Sequence, residues 1–296
     1  MEEHQLQDSD HTPQVSIGMP VYNGEKFIGK ALDSLLRQTF TDFELIISDN
    51  ASTDGTEGIC RHYVAKDSRI RYCRQSQNKG GSWNFNFVLH EAQCDYFMWA
   101  ACDDSWDKNF IKDCVNFMDN HTDIGIVFSK FWVTSRMYPI IKMKRFPNMS
   151  FLCNEDPFIR VAKYIELEEA TYKSNVIYGL WRRSIAKQTI DAFDGMKVDN
   201  ETPYIVFFLT RHKCFQIPRI LFYKTYKMFP PGHWLGTFLY KSVSQWRYGH
   251  LRRDNCIKRL ERHFEVLQMA IKRAGVWDNN YENMLNENYA RAMKWL

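Results

Sequence analysis

The strongest constraint on how this chain can fold is the regular exchange of short apolar runs with amphipathic stretches between Val15 and Ser129. Val15 to Met19 (VSIGM) has the composition of a buried strand, and Pro20, which cannot donate to a ladder, is expected to end it. From Glu25 onward, Phe27, Ile28, Ala31, Leu32, Leu35 and Leu36 trace the stripe of a helix laid on a sheet, opened by an acidic residue where the helix dipole favours one. The same alternation predicts strand Phe43 to Ser48, a helix from about Glu57 to Lys66, strand Ile70 to Cys73 and helix Trp83 to Glu91. Strand Tyr96 to Ala101, helix Asn109 to Asn120 and strand Ile124 to Ser129 complete the series. Strands joined through helices demand right-handed crossovers, so the expected fold is α/β, a mainly parallel sheet with helices on both faces.

Beyond this stretch the pattern is less regular. Periodicity fails between Val133 and Glu155, as in an ordinary insertion or a loop beside a site. Asn175 to Trp181 is then expected as a strand, Ser184 to Phe193 and Pro203 to Arg211 as helices, and Cys214 to Ile217 with Leu221 to Tyr226 as two short extended pieces. From Trp234 helical periodicity dominates, with Ile257, Leu260, Phe264, Leu267 and Ile271 at spacings of three and four. The expected organisation is a flexible N-terminus (1–13), two halves of one α/β unit (14–130 and 131–228) and a C-terminal helical appendage (229–296).

Charge and cysteine usage narrow the class. The 39 basic and 35 acidic residues leave a formal charge of +4, a mixed surface that does not suggest a nucleic-acid partner. The eight cysteines lack C-x-x-C pairs or a compact framework, which fits free thiols in a reducing compartment better than zinc or a disulfide scaffold. The polar, acidic opening MEEHQLQDSDHTPQ and the lack of an apolar run of about 18 residues point to a cytoplasmic protein. N-x-S/T triplets such as those at Asn50, Asn120 and Asn148 are then read as chance. Basic residues between Lys241 and Arg273, interleaved with aromatics, suit a solvated or homodimer-forming helix face, or a peripheral contact with anionic lipid.

In a parallel α/β sheet, ligands bind at loops leaving the carboxyl ends of strands. Three such loops carry candidate groups. Pro20-Val21-Tyr22-Asn23-Gly24 offers backbone amides before a helix, either to a nucleotide or as a plain turn. Ser48-Asp49-Asn50 places a carboxylate at a strand end, able to accept from a base imide or ribose hydroxyl, while Thr53 and Asp54 are more simply helix caps. Asp103-Asp104 follows the apolar strand YFMWAAC, where two adjacent carboxylates repel unless a cation stands between them and a ligand. A hard divalent ion bridging to diphosphate oxygens would supply that charge; the alternative is one capping and one solvated carboxylate.

The string VSIGMPVYNGEKFIGKALDSLLRQTFTDFELIISDNASTDGT resembles the start of glycosyltransferase family 2, and NKGGSWNFNFVLHEAQCDYFMWAACDD resembles its N-x-G segment and acidic metal motif. The resemblance is good from Val15 to about Phe128 and weaker to about Tyr226. It implies a Rossmann-like fold of the GT-A type, an inverting reaction, a nucleotide-sugar donor (a UDP-sugar by preference), a glycan or other hydroxyl acceptor, and Mn2+ or Mg2+. By position it implies that Asp49 holds uracil or ribose, that Pro20, Tyr22, Asn23 and Asn50 surround the base, that Lys79 and Gly80 approach the phosphates, and that Asp103, followed by Asp104, meets the metal. The first Asp of the D-x-D motif is replaced by Ala101. After Gly179-Leu180-Trp181-Arg182-Arg183-Ser184, Asp199 matches the general base and Glu201 is second choice. Where the family often carries a metal-ligating His this chain has Lys227, with His233 somewhat later as a candidate ligand. A catalytically inactive nucleotide- or sugar-binding relative and a sugar-phosphate nucleotidyltransferase are the alternatives, the second disfavoured by the missing glycine-rich phosphate loop.

Overall fold

The computed structural model describes residues 12–135, 142–143, 148–167, 173–196, 201–226 and 253–293. In chain order these form β1 (Val15–Val21), α1 (Ile28–Leu36), β2 (Phe43–Asp49), α2 (Thr56–Val64), β3 (Ile70–Arg74), α3 (Gly81–Glu91), β4 (Tyr96–Trp99), β5 (Ser105–Trp106) and α4 (Phe110–Asn120). There follow β6 (Ile124–Ser135), β7 (Lys142–Met143), α5 (Pro157–Glu166), β8 (Leu180–Arg182), α6 (Arg183–Asp191), α7 (Thr202–Leu209), β9 (Lys213–Tyr226), α8 (Arg253–Arg273) and α9 (Asn279–Met293). The sheet runs β3-β2-β1-β4-β8-β6-β9-β5, with β7 against β6. Its first four strands are parallel; β8 then joins β4 and β6 antiparallel, and β6 and β9 pair in parallel. The sheet is therefore mostly parallel, with its antiparallel contacts gathered in the second half. It continues through β6 across position 130 of the sequence.

Burial explains why the first strands read as unbroken apolar runs: every residue of β1 is buried, as expected where helices cover both faces. Pro20 does not end β1, which continues to Val21 opposite Asp49. Gly18 O accepts from Ala100 N and Val21 O accepts from Asn50 N, so Pro20, in phase with Gly18, turns its nitrogen toward the β4 side, where pairing has already stopped at Trp99. No ladder hydrogen bond is lost there. Helix α1 starts at Ile28 rather than Glu25, without an acidic first turn, because Glu25 is engaged with the next loop.

Two other expectations are corrected, and the expected C-terminal helices are present. Lys173–Tyr178 is a buried 3-10 turn, and the strand begins only at Leu180. The two extended pieces near Pro218 are one strand, β9, whose register against β6 slips between Ile217 opposite Ser129 and Ile220 opposite Lys130, so Pro218 and Arg219 sit in a bulge. The C-terminal helices are docked: Leu267, Ala270 and Ile271 are buried, Phe158 meets Tyr281 edge-on at 5.1 Å, and Arg211 donates to Ala274 O at 3.3 Å. The described part of that apolar stripe thus faces the chain's own core.

The centre is aromatic. Trp99 and Trp181 cross edge-to-face at 5.8 Å and Trp181 meets Phe208 at 5.2 Å, joining the parallel and mixed halves of the sheet with α7. Gly179, just before β8, lies so near β6 that a β-carbon would stand 2.7 Å from Val127 O. That obstacle is backbone and cannot swing away. Gly179→Ala is therefore expected to lower the unfolding free energy by about 1–3 kcal/mol, read from urea denaturation, and an unchanged midpoint would contradict the packing described.

Candidate functional site

The strand order brings the candidate loops to one edge. β1 lies between β2 and β4, so Asp49 at the end of β2 and Asp103, four residues past the end of β4, emerge on either side of the β1 tip. Strand spacing puts these exits about 10 Å apart. The loops also touch: a β-carbon on Gly24 would lie 3.3 Å from Cys102 Sγ, which puts the β1 loop against the residue before Asp103.

On the other side the β1 loop is laced to the loop after β2. Asn23, at φ 53°, donates its backbone N–H to Ser52 Oγ at 2.9 Å and accepts from Thr53 N on its side-chain oxygen at 2.8 Å. Gly24 N donates to Thr56 Oγ1 at 2.8 Å, and Glu25 Oε2 accepts from Gly55 N at 3.1 Å. Asp54 accepts from Thr56 N at 3.1 Å and from Glu25 N at 3.1 Å, which supports the start of α2 as expected of a helix-opening residue. Asn23 thus ties loops, while Tyr22 beside it is 48% exposed and Pro20 is buried.

Asp49 is fully buried and well supplied with donors. Ser52 N reaches Oδ1 at 2.8 Å, and Tyr72 Oη and Arg74 Nη1 reach Oδ2 at 2.7 and 2.9 Å. Tyr72 and Arg74 are two apart on β3 and therefore share a face of that strand. Burial, followed by the bond to Asp49, pushes the Tyr72 phenol up, so it stays a donor. Neither residue is among the sequence-based candidates, although the i, i+2 pair of polar groups ending an edge strand is a signal that the pattern contained.

Asn50 is also buried, and its amide organises the loop before α3. Its Oδ1 accepts from Lys79 N at 2.9 Å, and its Nδ2 donates to Asn78 Oδ1 at 2.9 Å and Gly80 O at 3.0 Å. Gly80, at φ 90°, makes the left-handed step that starts α3, a conformation other residues resist. Lys79 is exposed and its ammonium lies 4.1 Å from the Trp83 ring centre. Asn84 on α3 closes the arrangement, donating to Ser48 O at 2.9 Å and accepting from Ser48 Oγ at 2.5 Å.

The two acidic residues after β4 differ sharply. Asp103 is half-buried. Asp104 is buried, with Lys224 Nζ at 2.8 Å from Oδ2 and Thr225 N at 2.9 Å from Oδ1. Burial pushes the Asp104 carboxyl up to about 6, Asp103 pushes the same way, and Lys224 pulls it down. Lys224 lies 4.0 Å from the Tyr178 ring centre, and burial raises that phenol to about 12, with Glu201 and Asp104 adding to the rise and Lys224 opposing it. Glu201, at the N-cap of α7, therefore belongs to the same electrostatic neighbourhood as Asp104 and Lys224. Asp199, Lys227 and His233 lie outside the described residues. Among the described residues no group of three or more His, Cys, Asp or Glu side chains could hold a metal, and no helix is long and apolar enough to cross a membrane. The seven described cysteines that the structure assigns are free, and burial holds Cys60 at about 12, a protonated thiol rather than a nucleophile.

The family profile described as Glycosyl transferase family 2 matches residues 16–189. EpsE of Bacillus subtilis (strain 168), assigned as a glycosyltransferase, is 29% identical over 187 residues, covering 60% of this chain and 65% of that protein. The poly(ribitol-phosphate) beta-N-acetylglucosaminyltransferase TarS of Staphylococcus aureus is 33% identical over 119 residues, 39% of this chain and 21% of TarS. The chain spans less than two thirds of the length of these curated relatives. Among solved structures, S. aureus TarS in complex with UDP-GlcNAc is similar with a TM-score of 0.60 at 18% identity, covering 93% of this chain and 89% of that one. The mannosyltransferase PcManGT from Pyrobaculum calidifontis, in complex with GDP-Man and Mn2+, gives 0.53 at 14% identity over 96% of this chain and 81% of that one. These likenesses establish the GT-A kind of fold.

Proposed function

The chain belongs to glycosyltransferase family 2, and on that footing we propose that it passes a sugar from a nucleotide-sugar donor, a UDP-sugar by preference, to an acceptor hydroxyl with inversion. The observation that carries this reading is the emergence of Asp49 and Asp103 on either side of the β1 tip, at the edge where an α/β sheet binds its ligand. Asp49, already aligned by Tyr72, Arg74 and Ser52, accepts from the base or ribose; Tyr22, half-exposed, lies against the base with Pro20 behind it; Lys79 and the amides after Gly80 face the diphosphate. Asn23 and Asn50 serve by shaping these loops.

The residues present fit a divalent ion of the hard kind. Mn2+ or Mg2+ bound with diphosphate keeps several waters and needs one or two protein carboxylates, and Asp103 is one placed at a strand tip. Asp104, held by Lys224, is better suited to orienting that turn, and His233 stays a candidate ligand. When bound, the ion would neutralise charge on the departing diphosphate. The acceptor oxygen attacks the anomeric carbon as the bond to the diphosphate breaks, and its proton passes to Asp199, with Glu201 the second choice. The replacement of the first motif Asp by Ala101 supports one other reading, a relative that binds the donor without transferring it.

A thermal-shift panel of UDP-, GDP- and dTDP-sugars with and without Mn2+ tests the proposal. The expected result is the largest rise in Tm for a UDP-sugar with Mn2+, equivalent to about 2.7 kcal/mol at a hundredfold excess over Kd, and an affinity about tenfold weaker in Asp49→Asn. No response to any donor would sink the reading. Donor binding without transfer or hydrolysis would favour the inactive relative, and a response confined to a GDP-sugar would reassign the base.

A further inference from the structure

Lys224 is a lone lysine two places before the end of β9, in the run ILFYKTY, and only 7% of it is exposed. A buried ammonium is tolerated only against a counter-charge, and here the counter-charge is Asp104, 120 residues earlier. The contact is part of a larger clamp. β5, which begins immediately after Asp104, pairs antiparallel with β9, setting Ser105 opposite Tyr223 and Trp106 opposite Phe222, whose rings stack at 5.6 Å. Asp104 N closes the turn by donating to Ala101 O at 3.1 Å, and both carboxylate oxygens of Asp104 are taken up by Lys224 and by Thr225 N. The acidic turn after β4 is therefore fixed from outside by the last residues of β9, and its second carboxylate is neutralised before any ligand arrives.

We propose that Lys224 is a positioning residue: through Asp104 it sets the Ala101–Asp104 turn so that Asp103 alone meets the cation of the donor complex. This rests on the metal-assisted reading given above. Its chemical consequence is a protein that offers one carboxylate rather than two, so metal and nucleoside diphosphate bind well only together. The Tyr178 ring, with its centre 4.0 Å from the ammonium, also supports Lys224, and its phenol feels the charge of Glu201, which links the clamp to the proposed acceptor side of the site.

The test is the UDP affinity of the full chain, measured by calorimetry with and without Mn2+, in wild type, Lys224→Met and the double variant Asp104→Asn/Lys224→Met. In Lys224→Met the gain in UDP affinity due to Mn2+ is expected to shrink about tenfold or more, as when an outer partner of a metal ligand is lost. UDP affinity without metal should stay at the wild-type value, because Asp49 is untouched, and kcat should fall more than KM changes. The double variant leaves no unpaired buried charge and serves if the single one does not fold; it should show the same reduced gain. A lysine that only stabilises the fold would lower Tm and leave the Mn2+ gain intact, which overturns the inference, as would recovery of the full gain in the double variant. A wild type whose UDP affinity ignores Mn2+ overturns the metal reading and this inference together, which separates that failure from the others.

Discussion

Asp103→Asn is expected to lower kcat by about two orders of magnitude or more while leaving the unfolding free energy within about 0.5 kcal/mol of wild type. Asp103 is half-buried beside a carboxylate that is fully buried, and its charge disfavours ionisation of Asp104, so removing that charge relieves a repulsion. On the proposed reading, what is lost is the carboxylate that would meet the metal–diphosphate, a loss expected in the transition state, where the leaving group gathers charge. Asp104→Ala is the contrasting substitution. It strips the partner from a buried lysine and is expected to cost about 3–5 kcal/mol of stability. Turnover and urea denaturation of both variants separate the two roles, and an Asp103→Asn protein with near-normal kcat would remove Asp103 from the chemistry.

The second large effect concerns the base. Asp199→Asn is expected to reduce kcat by about two orders of magnitude with little change in donor KM, because proton removal from the acceptor belongs to the chemical step rather than to donor binding. Glu201→Gln should be milder, within about tenfold. Glu201 stands at the N-cap of α7, directly before Thr202 and Pro203, and its charge reaches Tyr178 and Tyr204, so its loss perturbs the acceptor side without removing a base. Single-turnover rates with saturating donor decide the matter. The opposite order of effects would transfer the role to Glu201.

The parallel half of the fold was legible because β1, β2 and β4 are almost wholly buried and α1 and α4 each carry one apolar stripe, so the two periods are unmixed there. Misreadings cluster where that separation fails. Lys173–Tyr178 contains Val176, Ile177 and Tyr178, a composition that suits a strand, yet it forms a buried 3-10 turn; short apolar runs do not declare which they are. Pro218 looked like a break between two strands because a bulge in β9 cannot be told from a turn without the partner strand.

The site followed the same rule. Asp49 and Asp103 stood out because they lie at, or a few residues past, the ends of apolar strands, and position relative to a strand end is a local property. The work of Asn23 and Asn50 was not visible, since both act on loops about 30 residues away that sequence reasoning had no means of bringing near. Lys224 was further out of reach, its partner being 120 residues distant. The need of a buried cation for an acid was the only hint, and it names no partner.

The amide of Asn50 has one more consequence. By gripping Lys79 and Gly80 from the tip of the strand that ends in Asp49, a single side chain locks the loop after β2 to the loop before α3. Under the proposed donor binding, the first half of the chain would act as a gauge of fixed span, matched to the length of a nucleoside diphosphate.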